Sequence, residues 1–224
     1  RSFVIFILSL LILKVYTFYF NSSELDVAIF DLLNSNILIL LYIYTISTIS
    51  FYFYHSDKSY IGKKKSKASL KVFSFISEFI HISSVVICIN AVLINNFLFF
   101  EFHNNVEIMY IGVAFSSISI AIFISSKISL GKNYSPCYDQ RIPDKIITDG
   151  IYRFIRHPIY LSNILLLLGV FIISGSFLII GNLVILIIFY TISAFREEKY
   201  LISKFPNYKN YSKKTGMFVP RYWK

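Results

Sequence analysis

Residues 156–200 read RHPIYLSNILLLLGVFIISGSFLIIGNLVILIIFYTISAFREEKY. A bilayer core takes roughly 20 helical residues, so this run divides into two spans, 158–174 and 176–195. Only Ser174-Gly175-Ser176 parts them, and they must fold back as a tight hairpin; the first is short enough to be a partial or tilted span. Outward from the hairpin, further apolar runs lie at 108–130, 72–100, 28–54 and 2–20. The expected fold is therefore all-α, a polytopic helical integral membrane protein of about six spans. Composition agrees: of 224 residues, 56% are hydrophobic and 15% charged, and the mean hydropathy is +0.64. That leaves too little polar surface to coat a water-soluble globule, which excludes a soluble enzyme and equally a disordered chain. With 8 Gly and 5 Pro a collagen-like or linker composition is excluded, and helix-length apolar blocks are not the alternating segments of a membrane barrel.

The formal net charge of +10 comes from 22 Lys and Arg against 12 Asp and Glu. Apart from Arg1 and Lys14, the basic residues fall in three clusters: Lys58–Lys71, Lys127–Arg156 and Arg196–Lys224. The loops that hold Glu24, Asp26, Glu101 and Glu107 carry none. The positive-inside rule then places both termini, the 55–71 loop and the 131–157 loop in the cytoplasm. Orientation and attraction to anionic headgroups account for the charge without any nucleic acid. No small-residue cleavage site follows the first span, and Lys14 interrupts it, so it reads as an anchor rather than a signal peptide. Cys88 lies in a span and Cys137 in a loop, an unfavourable arrangement for a disulfide. Gly169, Gly175 and Gly181 are too widely spaced for the helix-dimer motif.

The amino-terminal region, 1–127, reads as transmembrane scaffold. Its exceptions are Asp31, Glu78 and His81, since ionisable groups at membrane depth are costly. Glu78 and His81 share a helix face and can pair or point into a cavity; equally, Glu78 can sit among headgroups near Lys71.

Region 128–224 carries the polar chemistry. The stretch GKNYSPCYDQRIPDKIITDGIYRFIRH, 131–157, is too long for a simple connector. Asp149-Gly150 signals a turn in which the backbone can approach a ligand. Pro158 suits the first turn of the fifth span, so Arg156 and His157 stand just before amides that can hold a carboxylate or phosphate. An interfacial Arg and His that only anchor the helix would look alike. At the far end of the hairpin, Arg196-Glu197-Glu198-Lys199-Tyr200 puts adjacent carboxylates about 100° apart on a helix. One can face a pocket while the other meets a cation, although a solvated charge run is the plain alternative. Leu201, Phe205, Tyr208 and Tyr211 then recur beside lysines in an amphipathic stretch broken at Pro206 and stopped near Gly216. This stretch is expected to lie along the membrane surface and cover the 131–157 loop.

Gly150-Ile151-Tyr152-Arg153-Phe154-Ile155-Arg156-His157-Pro158-Ile159-Tyr160, the span pair, Glu197-Glu198, and Lys204-Phe205-Pro206-Asn207-Tyr208 with Tyr211 together resemble the isoprenylcysteine carboxyl methyltransferases and the related membrane phospholipid methyltransferases. The resemblance covers about 128–224. Pro206 stands where the family usually has Gly, and Tyr134-Ser135-Pro136-Cys137-Tyr138 replaces the loop of eukaryotic members. The resemblance implies an integral membrane methyltransferase that binds S-adenosylmethionine in a cytoplasmic pocket built from the loop before the fifth span and the C-terminal helix, and that acts on a membrane-embedded lipid or lipidated acceptor, with a carboxylate favoured over an amine. It implies Gly150, Tyr152, His157, Pro158, Tyr160, Glu197 and Glu198 as cofactor-binding residues, and Arg156 and Glu198 as catalytic ones. Arg156 would orient an anionic acceptor through its bidentate guanidinium. No metal site is expected. Two rivals stay open: an NADPH-dependent membrane reductase of the sterol or enone type, which ends in a similar aromatic tail, and a non-enzymatic lipid-binding protein.

Overall fold

The computed structural model describes residues 79–84, 87–88, 106–133 and 145–221. Four helices follow in chain order: α1 (Val106–Leu130), α2 (Pro158–Ser174), α3 (Leu178–Lys204) and α4 (Tyr208–Lys214). Single 3-10 turns occupy Gly131–Asn133 and Gly150–Arg153. Residues 79–84 and 87–88 are also helical. Among the described residues there is no strand, only an isolated parallel bridge between Ile155 and Gly216.

Two of these helices, Glu107–Leu130 and Leu178–Lys204, are long and apolar enough to cross a membrane, and Pro158–Ser174 is a shorter apolar helix. The hairpin forms as its residues demand. Gly175 takes φ 62, the left-handed conformation that a side chain opposes, and its N–H caps α2 on Phe171 O. Ser174 Oγ accepts the amide of Ser176 at 3.1 Å, and a new helix begins at Leu178. The helix runs on past the expected boundary at 195. Its 27 residues rise about 40 Å, roughly 10 Å more than a bilayer core. The excess length includes the charged turns from Arg196 onward.

α1 packs along α2 by means of small residues. Gly112, Ser116, Ser119, Phe123 and Ser126 recur every three or four residues and are all buried, so they form one face. A Cβ on Gly112 would come within 2.7 Å of Gly169 O, and one on Gly169 within 2.7 Å of Gly112 O. Both positions must therefore stay bare for the two backbones to touch. Ser119 Oγ donates to Ser162 O at 2.6 Å in the same seam, a bond that has no water to compete with it in an apolar medium.

The second seam joins α2, α3 and the helical residues 79–84 and 87–88. Ile80, Cys88, Tyr160, Leu167, Val170, Ile173, Ile179, Leu186 and Tyr190 share one core. Asn182 Nδ2 reaches across it to Ser83 Oγ at 3.0 Å and Ser84 Oγ at 2.8 Å. His81 is buried in this region, whereas Asp31 and Glu78, like the first two expected spans and Cys137, lie outside the described residues. Cys88 is a free, buried thiol.

Candidate functional site

The cytoplasmic-end expectations for the loop and tail meet at one place in the fold, where the start of α2, the last turns of α3 and α4 converge. Pro158 is the first residue of α2 and His157 its N-cap. The ring fixes φ and removes an N–H that the first turn would leave unpaired. This aims the chain so that Arg156 and His157 face α3.

Glu198 receives both. Arg156 Nε lies 2.6 Å from its Oε1 and Arg156 Nη2 3.4 Å from its Oε2, while His157 Nε2 is 3.1 Å from Oε1. The Arg156 and Glu198 side chains are only 9% and 12% exposed. Burial pushes the Glu198 carboxyl up, but hydrogen bonds from His157 and Arg156, and their charge, outweigh it and hold its pKa below the ordinary glutamate value. Glu198 is thus an ionised carboxylate at neutral pH.

Glu197 turns the other way. Its Oε2 accepts the Tyr160 hydroxyl at 2.8 Å and lies 3.7 Å from His157 Nδ1, and its side chain is 46% exposed. The 100° offset of neighbours on a helix thus divides the pair, with Glu198 inward and Glu197 toward open space. Behind them stands a column of rings. His157 stacks on Tyr160 at 5.2 Å between centroids, and Tyr160 on Tyr190 at 4.8 Å.

The chain beyond α4 closes the site from the far side. Arg156 Nη1 donates to Ser212 O at 2.8 Å and to Thr215 O. The amides of Arg156 and His157 donate to Gly216 O and Met217 O at 2.9 and 3.0 Å, and Gly216 N donates to Phe154 O at 3.3 Å. Tyr211 Oη donates to Tyr152 O at 2.6 Å. Residues 211–217 are therefore a strap laid across 152–157. The amides of Arg156 and His157 are thereby both satisfied by the strap.

An open cleft of about 120 Å³ lies beside these groups, smaller than the roughly 300–1,000 Å³ of enclosed small-molecule sites. Tyr152, Arg156, His157, Tyr160 and Glu197 line it. Glu198 stands behind His157 and Arg156, Pro158 sets the helix start, and Gly150 opens its 3-10 turn against Ser129 of α1; these three are not among the lining. Sequence reasoning left Leu130 and Asn133 at the end of α1, and Lys145, Ile146 and Ile147, without a role, yet they line the cleft. So do Tyr208 and Tyr211, which helical spacing placed on the amphipathic tail without assigning them to the pocket. No signal in the sequence marks the carbonyls of Ser212 and Thr215, because any residue supplies one. Among the described residues no group of three His, Cys, Asp or Glu is arranged to hold a metal ion.

A carboxylate facing the cleft, stacked aromatic rings and a border of apolar helices suit a ligand that is part cation, part planar ring. Against this geometry, residues 108–208 match the model of a family described as phospholipid methyltransferase. The match begins inside α1 and so takes in the helix that supplies Leu130. No curated protein matches the chain.

Proposed function

We propose that the chain, whose residues 108–208 match the phospholipid methyltransferase family, transfers a methyl group from S-adenosylmethionine to a lipid or lipidated acceptor held in the bilayer. The observation that carries the reading is the carboxylate pair Glu197 and Glu198, divided between the cleft and the His157–Arg156 cluster. When bound, S-adenosylmethionine supplies an electrophilic methyl on a cationic sulfonium. Its ammonium, ribose hydroxyls and purine fit the exposed carboxylate of Glu197 and the aromatic walls of Tyr152 and Tyr160. His157, with the Tyr160 hydroxyl, borders the polar end.

Each residue then has a task that needs no chemistry of its own. Glu197 offers a lone pair to the donor's polar groups. Glu198 orients His157 and Arg156 through buried, charge-assisted bonds. Arg156 spends four hydrogen bonds on Glu198, Ser212 and Thr215, so of its five donors one N–H is left for the carboxylate of an acceptor. The strap excludes water from the reacting groups, and positioning of this kind supplies most of the rate in such a transfer. Ile146, Ile147, Ile159 and Leu201 make the apolar border along which a lipid tail reaches the cleft.

The Arg156 fork expected to grip an anionic acceptor is closed on Glu198 instead, which leaves one N–H for it; the family description points to a phospholipid acceptor, and both a phospholipid and a lipidated carboxylate are to be offered. The site faces the cytoplasm, in a chain of about six spans. Calorimetry on the purified protein tests the reading: S-adenosylmethionine binds, and His157→Ala and Glu197→Ala each weaken it by about 1–3 kcal/mol. Failure of the folded protein to bind it overturns the proposal, and binding of NADPH instead would make the protein a reductase.

A further inference from the structure

Positioning alone suffices for a carboxylate acceptor, which attacks a methyl group as it stands. An amine does not. A phospholipid, the class to which the family description points, offers a headgroup amine for methylation, and that amine arrives as an ammonium with no lone pair. At the pKa of an ordinary alkylamine, about 10.4, roughly one in 2,500 is neutral at pH 7. The open charge of the site suits such a headgroup: Arg156 is closed on Glu198, while Glu197 keeps a half-exposed carboxylate on the cleft. What the transfer then needs is a base.

His157 has the tautomer for it. Its Nε2 lies 3.1 Å from Glu198 Oε1, and an ionised carboxylate only accepts, so Nε2 carries the hydrogen. In the neutral ring the lone pair is therefore on Nδ1. Nδ1 stands 3.7 Å from Glu197 Oε2, beyond a hydrogen bond, and that oxygen is already met by the Tyr160 hydroxyl. A proton on Nδ1 thus lies beside one carboxylate while a second holds the far side of the ring. The stack on Tyr160 fixes the plane of the imidazole, and His157 lines the cleft. Its other neighbours are no substitute. Glu198 is spent on Arg156 and His157, and burial pushes the phenols of Tyr208 and Tyr211 up, so both keep their protons.

We propose that His157 is a catalytic residue whose Nδ1 takes a proton from the ammonium of an aminophospholipid acceptor. The assignment rests on the methyl-transfer reading above. One N–H bond of the headgroup breaks; its proton goes to Nδ1 and its electron pair stays on the nitrogen. That pair forms the N–C bond to the donor's methyl group as the S–C bond breaks, and the electrons of the S–C bond remain on sulfur as a neutral thioether. The imidazolium afterwards sheds its proton to water past Glu197, the exposed member of the carboxylate pair.

Nitrogen NMR of the wild-type ring, without acceptor and at about pH 8, reads the tautomer directly. A hydrogen on Nε2 and a bare Nδ1 are expected, and a hydrogen on Nδ1 overturns the assignment. His157→Gln keeps an N–H for Glu198 and has no basic nitrogen. With the protein in phosphatidylethanolamine vesicles and the donor saturating, its kcat at neutral pH is expected to fall about 100-fold or more. It should recover about tenfold per pH unit as the medium deprotonates the headgroup. A merely structural role gives a loss that no rise in pH restores, and that result overturns the assignment, as does an unchanged kcat. So does a wild-type enzyme that methylates a prenylated cysteine carboxylate and no amine. Each of these outcomes leaves the methyltransferase reading intact. A wild-type protein that binds no donor removes that reading, and this assignment with it.

Discussion

Replacing Arg156 by Lys keeps a positive charge beside Glu198 and removes the fork. The guanidinium makes four contacts: two to the Glu198 carboxylate, and one each to Ser212 O and Thr215 O. A single ammonium at the end of a flexible stem can keep Glu198 and at most one carbonyl. With Glu198 still paired, the loss is not the full penalty of an orphaned buried charge, about 3–5 kcal/mol. It is one or two charge-assisted bonds, at about 1.5–3 kcal/mol each before compensation by water. We expect about 2 kcal/mol, which is roughly a 30-fold increase in the open population of the strap. The readout is hydrogen exchange at the three amides that stitch strap to loop, Arg156, His157 and Gly216. Where opening is fast relative to exchange, protection follows that population directly. The helical amides of α2 serve as the internal reference and stay unchanged. Wild-type exchange at all three amides, in a variant whose activity has nonetheless fallen, would refute the clasp role and return Arg156 to direct contact with the acceptor.

The other expectations concern acid, packing and orientation. Because the folded pKa of Glu198 is depressed, the stabilisation it gives is present above the pKa of an unfolded glutamate and is lost as pH falls through the lower folded value. Strap amides should lose protection below the ordinary glutamate range, and Glu198→Gln should start unprotected and show a flatter profile; an unchanged acid limb in that variant would assign the effect to another group. Gly169→Val should separate α1 from α2 and lower thermal stability markedly, since even a Cβ meets Gly112 O at 2.7 Å and overpacking costs about 1–3 kcal/mol or more; a stable variant would show that the seam can open. For the membrane orientation, a single cysteine in place of Lys64 should be protected from an impermeant reagent added outside intact cells and labelled once they are opened, and the opposite pattern would invert the topology.

What the sequence makes legible here depends on whether the signal is local. The α2–α3 hairpin is legible because Ser-Gly-Ser between two apolar runs has one outcome, and 158–174 matches α2 residue for residue. The length of α3 is less so: the apolar run stops at Phe195 but the helix, carried by good helix formers and backbone bonds, does not stop until Lys204. The Gly112–Gly169 contact escapes a reading that looks for glycines on one helix, since the partner lies on another. In the site, Glu197 and Glu198 are recognisable as a divided pair from helical geometry alone, while which of them faces inward depends on where Arg156 sits. The strap is invisible in the sequence because its bonds are mostly made by backbone atoms. Lys145 and the two isoleucines after it belong to the cleft only because the loop passes there.

The strap has a consequence for how the protein is made. Arg156 and His157 are translated some 60 residues before the carbonyls of Gly216 and Met217 to which their amides bond. At about 5–20 residues per second, a ribosome needs roughly 3–12 s to cover that interval. Throughout it the hairpin can already lie in the bilayer with Glu197 and Glu198 attached, but the wall formed by Tyr208, Tyr211 and the strap does not yet exist. A nascent chain therefore has no complete cleft, however far its hairpin has folded, until the strap has been made.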